Sequence, residues 1–232
     1  MSYGISVTST GGFVQIDGTY ENLAVFASGT ATARGVNSYS PVAFPANTPA
    51  DYLIFAKPSI ESGDKYVWFS EWTGGGAPSF VFGLPFDTSA SVAVDWVIAV
   101  RSAAMPANNS SDYGLEVNKA NGDQAFSAND GNFRCQQVAF DDFNDPPGQA
   151  TDYGTIFSLS SMSGVYALMS GKTYIGRANM GYQGSIIYGL TSRWNYTNKT
   201  IRSEVKIFQF IANQGGSAAG GGFRTSLIGT FG

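Results

Sequence analysis

Apolar and polar residues alternate with a period of two along most of this chain, and no long stretch carries the spacing of an amphipathic helix. Tyr3, Ile5 and Val7 alternate with Gly4, Ser6 and Thr8, and Tyr113, Leu115 and Val117 repeat the pattern. Tyr66, Trp68, Ser70 and Trp72 alternate with Val67, Phe69 and Glu71. Val92, Val94, Trp96, Ile98 and Val100 line one face of the strongest strand, and its expected counterpart runs from Ile201 through Val205 and Ile207 to Phe210. Successive strand side chains point to opposite faces, so each segment offers one face to a core. Turn signals separate these segments: Thr10-Gly11-Gly12, Asp17-Gly18, Asn121-Gly122-Asp123 and Asn129-Asp130-Gly131. Asn-Gly between apolar runs predicts a hairpin, because both central residues of the favoured turn need positive φ. Gly74-Gly75-Gly76-Ala77-Pro78 predicts another hairpin tip. The expected fold is all-β and mainly antiparallel.

The pattern also recurs at long range. Tyr3-Gly4-Ile5-Ser6-Val7 returns as Tyr113-Gly114-Leu115-Glu116-Val117, an offset of 110 (113 − 3), and at that offset Gly12 falls on Gly122 and Asn22 on Asn132. Pro45 with Asp51-Tyr52 returns as Pro146 with Asp152-Tyr153, and Ser79-Phe80-Val81-Phe82-Gly83-Leu84 as Ser185-Ile186-Ile187-Tyr188-Gly189-Leu190. The order is kept while the offset drifts, as insertions in loops produce. The expectation is two related antiparallel β-sandwich-like modules from an internal duplication. Residues 1–102 form the first, 103–111 a Pro-punctuated linker, and 112–212 the second. Residues 213–232 form a Gly-rich arm whose Phe223 and Phe231 dock on a neighbouring subunit, or which folds back as an edge strand or frays.

At 232 residues, 43% of them aliphatic, aromatic or cysteine, the chain can bury a substantial core. Charged residues make up only 13%, against a usual share of about 25%. Copies of such a chain repel one another weakly, which suits assembly, and a neutral polar surface also suits a carbohydrate binder. A net charge of −4 with scattered Lys and Arg argues against nucleic-acid binding. No run of 18 apolar residues predicts a membrane span, and no signal segment is read at the N-terminus, so the expectation is synthesis in a cytosol. One cysteine excludes an internal disulfide.

The absence of histidine removes imidazole acid/base catalysis, Ser-His and Cys-His pairs, and the commonest zinc ligands. Gly171-Lys172-Thr173 ends like a phosphate-binding loop, but Tyr166 stands where that loop needs glycine, so a hairpin turn is expected. Asp141-Asp142-Phe143-Asn144-Asp145 is the densest acidic cluster; it reads as a solvated loop, with calcium ligation or a carboxylate pair as sharper readings. Cys135 sits at the repeat position of Val25 and reads as a core thiol rather than a nucleophile. No cofactor or metal site and no enzyme activity are expected. Trp68, Trp72, Trp194 and Tyr196 fit three roles: core packing, a protein interface, or stacking on a glycan.

The two Tyr-Gly-x-x-Val openings, each followed by a Gly turn, resemble small β proteins of tailed-bacteriophage tail modules. Those carry Met-x-Tyr-Gly-Leu-x-Val-x-Asn-x-x-Gly, then Phe/Ile-Asp-Ser/Gly, and a second such unit about 100 residues on. Here the first is Met1-Ser2-Tyr3-Gly4-Ile5-Ser6-Val7 with Gly12 and Ile16-Asp17-Gly18; the second is Tyr113-Gly114-Leu115-Glu116-Val117-Asn118 with Gly122 and Phe126-Ser127. Asp51-Tyr52-Leu53-Ile54-Phe55-Ala56-Lys57-Pro58 also resembles a strand of that group. Thr8 departs from the first Asn, and the second copy lacks Asp after Phe126. The resemblance implies a non-enzymatic virion structural protein, in the tail, its tip or an associated fibre. Its partners would be other virion proteins and further copies of itself. Capsid decoration and a receptor-binding glycan module are the alternatives, the latter bringing a host-surface glycan as ligand.

Overall fold

A computed structural model describes residues 4–9, 12–17, 22–35, 40–72, 77–85, 91–105, 116–119, 121–127, 130–143, 156–169, 175–179, 185–211 and 222–232. Seventeen strands form in them. The first half of the sequence holds β1 (Gly4–Ser9), β2 (Gly12–Asp17), β3 (Leu23–Ala33), β4 (Val42–Ala43), β5 (Leu53–Pro58), β6 (Asp64–Trp72), β7 (Ser79–Gly83) and β8 (Val92–Arg101). The second holds β9 (Glu116–Asn118), β10 (Gln124–Ser127), β11 (Phe133–Phe143), β12 (Ile156–Ser158), β13 (Tyr166–Leu168), β14 (Ile175–Asn179), β15 (Ser185–Asn195), β16 (Thr200–Ile211) and β17 (Gly222–Phe231). Antiparallel ladders join β1 to β2, β6 to β7 and β9 to β10, as the expected hairpins require; Thr10, Gly11 and Gly74–Gly76 lie outside the described residues. Between β9 and β10, Gly122 takes φ 92°.

Two large antiparallel sheets pack face to face as a sandwich. Sheet I has the order β11-β17-β13-β5-β8-β3; sheet II has the order β12-β16-β15-β6-β7-β4, with β14 added beside β15. Ile54, Ala56, Val94, Trp96, Ile98 and Ile228 of sheet I meet Val67, Phe69, Phe80, Phe82, Trp194 and Ile201 of sheet II in one core. Rings in it meet edge to face, Phe80 with Trp96 at 5.4 Å and Phe80 with Phe82 at 5.7 Å, the arrangement aromatic quadrupoles favour.

Each sheet takes three strands of its path from each half of the sequence, and the ladders β5·β13 and β6·β15 join the halves. Segments 1–102 and 112–212 therefore share one core instead of packing two. Residues 103–111 separate halves of the sequence, not separate sandwiches. Gly222–Phe231, expected in a C-terminal arm or at an edge, is an inner strand between β11 and β13, where Ile228 faces the sandwich core and Leu227 and Phe231 pack on a second apolar cluster.

The strand order reads alike from either edge. In sheet I, β3, β8 and β5 hold the places that β11, β17 and β13 hold from the other side; in sheet II, β4, β7 and β6 correspond to β12, β16 and β15. Details follow suit. The register of β3 on β8 shifts between Val25 and Ala27, and that of β11 on β17 between Cys135 and Gln137. Ser102 N–H donates to the Asn22 carbonyl at 2.9 Å, and Gly232 N–H to the Asn132 carbonyl at 3.3 Å. In this order β8 holds the place that β17 holds from the other edge, and β7 the place that β16 holds, whereas the sequence matches set β8 against 201–210 and β7 against 185–190.

Sheet I curls. Phe55 of β5 and Phe133 of β11 are three strands apart in the sheet order, yet their rings lie 4.6 Å apart. The two edge strands meet where they begin: Val25 N–H donates to the Asp130 carbonyl at 2.9 Å. The curl encloses a second apolar cluster of Phe55, Val97, Ala99 and Leu168, with Phe133, Tyr166 and Phe231 against it. This is why Val97 and Ala99 are buried although they alternate with the sandwich-facing residues of β8.

Candidate functional site

The aromatic residues singled out from the sequence do not converge. Trp194 is fully buried between the sheets. Trp68 is 6% exposed; its indole N–H donates to the Leu84 carbonyl at 3.2 Å, and its ring lies over Gly83, where a Cβ would collide with it. Tyr196 packs half-buried against the sandwich core, and burial, reinforced by the charges of Glu61 and Asp95, pushes its phenol pKa up. Phe231 lies in the curl of sheet I, 5.1 Å from Phe133 and 5.4 Å from Phe55. Trp72 and Phe223 are strand residues opposite Ser79 and Asp142, and their side chains lie outside the described residues. Of the three roles open to Trp68 and Trp194 they take core packing, and Phe231 belongs to a strand folded back into sheet I instead of an arm free to dock. In each case apolar area gains more from the core than from solvent.

Two further expectations change. Cys135 is exposed, because β11 is an edge strand and its register breaks at that residue. Asp141, Asp142 and Phe143 belong to β11, paired with Arg224, Phe223 and Gly222, rather than to a loop; Asn144 and Asp145 lie outside the described residues. Gly171-Lys172-Thr173 also lies outside them. Among the described residues, no group of three or more Cys, Asp or Glu could hold a metal ion. No helix among them is long and apolar enough to cross a membrane.

Among the described residues, one polar constellation was not anticipated. Lys57 of β5 lies opposite Asp95 of β8, and its ammonium sits 3.2 Å from the Asp95 carboxylate and 3.0 Å from that of Glu61. Asp95 also accepts from the hydroxyls of Ser59, at 2.6 Å, and Thr30, at 3.0 Å. Glu61 accepts from the Gly164 N–H at 3.0 Å, tying the loop after β5 to the turn before β13. The ammonium also stands 5.7 Å from the centre of the Tyr166 ring. The sequence signal was a single carboxylate inside the apolar run Val94-Asp95-Trp96.

The electrostatics of this cluster lock its charges. Burial alone would lower the Lys57 pKa, but hydrogen bonds and charge from Glu61 and Asp95 outweigh it and raise it. Burial alone would raise Glu61 and Asp95; the Gly164 amide and Lys57 reverse it for Glu61, and the Ser59 and Thr30 hydroxyls and Lys57 for Asp95. A lysine held as ammonium is no nucleophile, and carboxylates held ionised are no general acids at neutral pH. The arrangement serves as a clamp across β3, β8, β5 and the 163–164 turn.

The clamp predicts a pH dependence. The lowered carboxylates contribute stability that is complete above their ordinary values of 3.8 and 4.5 and is lost as pH falls through their folded values. Lys57 contributes below its ordinary value of 10.5, and that contribution is lost as pH rises through its higher folded value. Asp95→Asn should cost about 2 kcal/mol at pH 7, lowering the thermal midpoint by about 4–8 °C and flattening the acid limb of the stability profile. An unchanged acid limb would show that the clamp carries no charge-dependent stability.

Compared with protein-family models, with curated proteins and with solved structures, the chain matches none.

Proposed function

We propose that this chain is an internally duplicated, non-enzymatic structural subunit of a tailed-bacteriophage virion, placed in the tail, its tip or an associated fibre. It works by presenting sheet edges and faces to other virion proteins and to further copies of itself. The observation that carries the reading is the matched strand order of the two halves, with its matched register breaks and closing hydrogen bonds. Two equivalent halves locked in one core make a rigid part with paired surfaces. The low charge and the two Tyr-Gly openings agree with that role.

The test is immunogold labelling of purified virions, with mass spectrometry of the same particles. Label on the tail supports the reading, label on the head moves the subunit to capsid decoration, and absence from the particles overturns both. The glycan alternative is weakened by the burial of Trp68 and Trp194. Titration with host-surface polysaccharide is expected to leave tryptophan emission unchanged; a saturable shift would restore that alternative.

A further inference from the structure

Among the described residues, five strands edge the two large sheets. In sheet II these are β4, of two residues, β12, of three, and β14, of five, whose sequence carries Arg177. In sheet I they are β11, whose sequence carries Arg134, Asp141 and Asp142, and β3. Shortness and charge are standard guards against edge-to-edge pairing. Strand β3, Leu23–Ala33, has eleven residues and neither charge nor proline.

Both ends of the β3 edge are occupied. Val25 N–H is taken by the Asp130 carbonyl, and Gly131 stands against the Val25 side chain. Past the other end, Arg34 bridges to Gly83, and its carbonyl accepts the Leu84 N–H at 2.9 Å. Between these stops lie Ala27 to Ala33. Their backbone pairs with β8 on one side, and among the described residues nothing pairs with the other. Ser28 and Thr30 are exposed.

We propose that this seven-residue edge is a self-association site, where a second copy of the chain adds its own Ala27–Ala33 segment antiparallel across a two-fold axis at Thr30. In that register Thr30 faces Thr30 of the second copy, Ser28 faces Thr32, Gly29 faces Ala31 and Ala27 faces Ala33. Hydroxyls then meet hydroxyls on one face and small apolar groups meet on the other, pairings that antiparallel ladders favour. The occupant is a second copy because the open length, bounded by the stops at Val25 and Arg34, is self-complementary about its own midpoint and brings no charges together. Two sheets of six strands become one of twelve through a closed, isologous contact. This deepens the reading of the chain as an assembly subunit but does not depend on the virion assignment.

Light scattering on the purified chain should give twice the 24.5 kDa chain mass. The double variant Ser28→Lys/Thr32→Lys sets lysine against lysine at both ends of the ladder and should be monomeric. Ser28→Lys/Thr32→Glu sets lysine against glutamate and should restore the dimer, which separates loss of the contact from loss of the fold. Thr30→Cys on a Cys135→Ser background should cross-link under oxidation into a covalent dimer whatever the lysine variants do. A wild type that stays monomeric at every concentration, a double-lysine variant that stays dimeric, or a Thr30→Cys chain that fails to cross-link would each overturn the proposal.

Discussion

Gly229→Ala should destabilise the protein by about 3 kcal/mol or more, the upper range for overpacking a core. The residue lies in β17 between β11 and β13, opposite Cys135 on one side and Tyr166 on the other. A Cβ there would overlap the Arg134 carbonyl oxygen and lie 2.6 Å from the Phe133 ring. A flexible side chain could turn away; a backbone oxygen in a paired edge strand cannot, and the Phe133 ring is wedged between Phe55 and Phe231. Relief would require β11 to lift from β17 and open the curl of sheet I. The readout is the denaturant midpoint, with the slope of the transition checked for two-state behaviour. A midpoint close to wild type would mean that the two strands do not approach so closely.

Trp194→Ala should cost about 3–5 kcal/mol, as deleting a large buried aromatic does, or about 6–20 °C in the thermal midpoint. Trp194→Phe should cost much less than its lost volume suggests. The Trp194 indole N–H is buried, and among the described residues it has no hydrogen-bond partner. A buried, unpaired donor is penalised by about 1–3 kcal/mol, and phenylalanine removes that penalty along with the group. Equal losses for the two variants would place a partner on the indole. Wild-type stability in both would mean that Trp194 is not in the core.

Local rules carried the strands and failed at what lies between them. The alternations of Val67 with Phe69 and of Val92 through Val100 mark β6 and β8 because side-chain direction is a property of the strand alone. The ladders joining β9 to β10 and β6 to β7 were legible for the same reason. Pairing between distant strands is not local: nothing in Gly222–Phe231 states that it inserts between β11 and β13, so a Gly-rich lead-in made it look like an arm. The same limit hid the exposure of Cys135, which depends on β11 being an edge. It also hid the burial of Trp68, which depends on Gly83 lying under its ring. The Lys57 clamp was not read from the sequence. Asp95 is a carboxylate in an apolar strand, but its partners, Thr30, Lys57 and Ser59, come from two other parts of the chain.

The interleaving of the halves sets a constraint on synthesis. Phe143 and Gly222 are ladder partners although 79 positions separate them (222 − 143). At about 5–20 residues per second, a ribosome needs roughly 4–16 s to cover that distance. During that interval β11 has no neighbour in sheet I and β13 has only β5, so the sheet cannot close as the chain emerges. Its completion is a late event, gated by translation of β17. A chain stalled or cleaved before Gly222 would leave two open edges and an uncovered aromatic cluster, a species prone to sticking to other nascent chains.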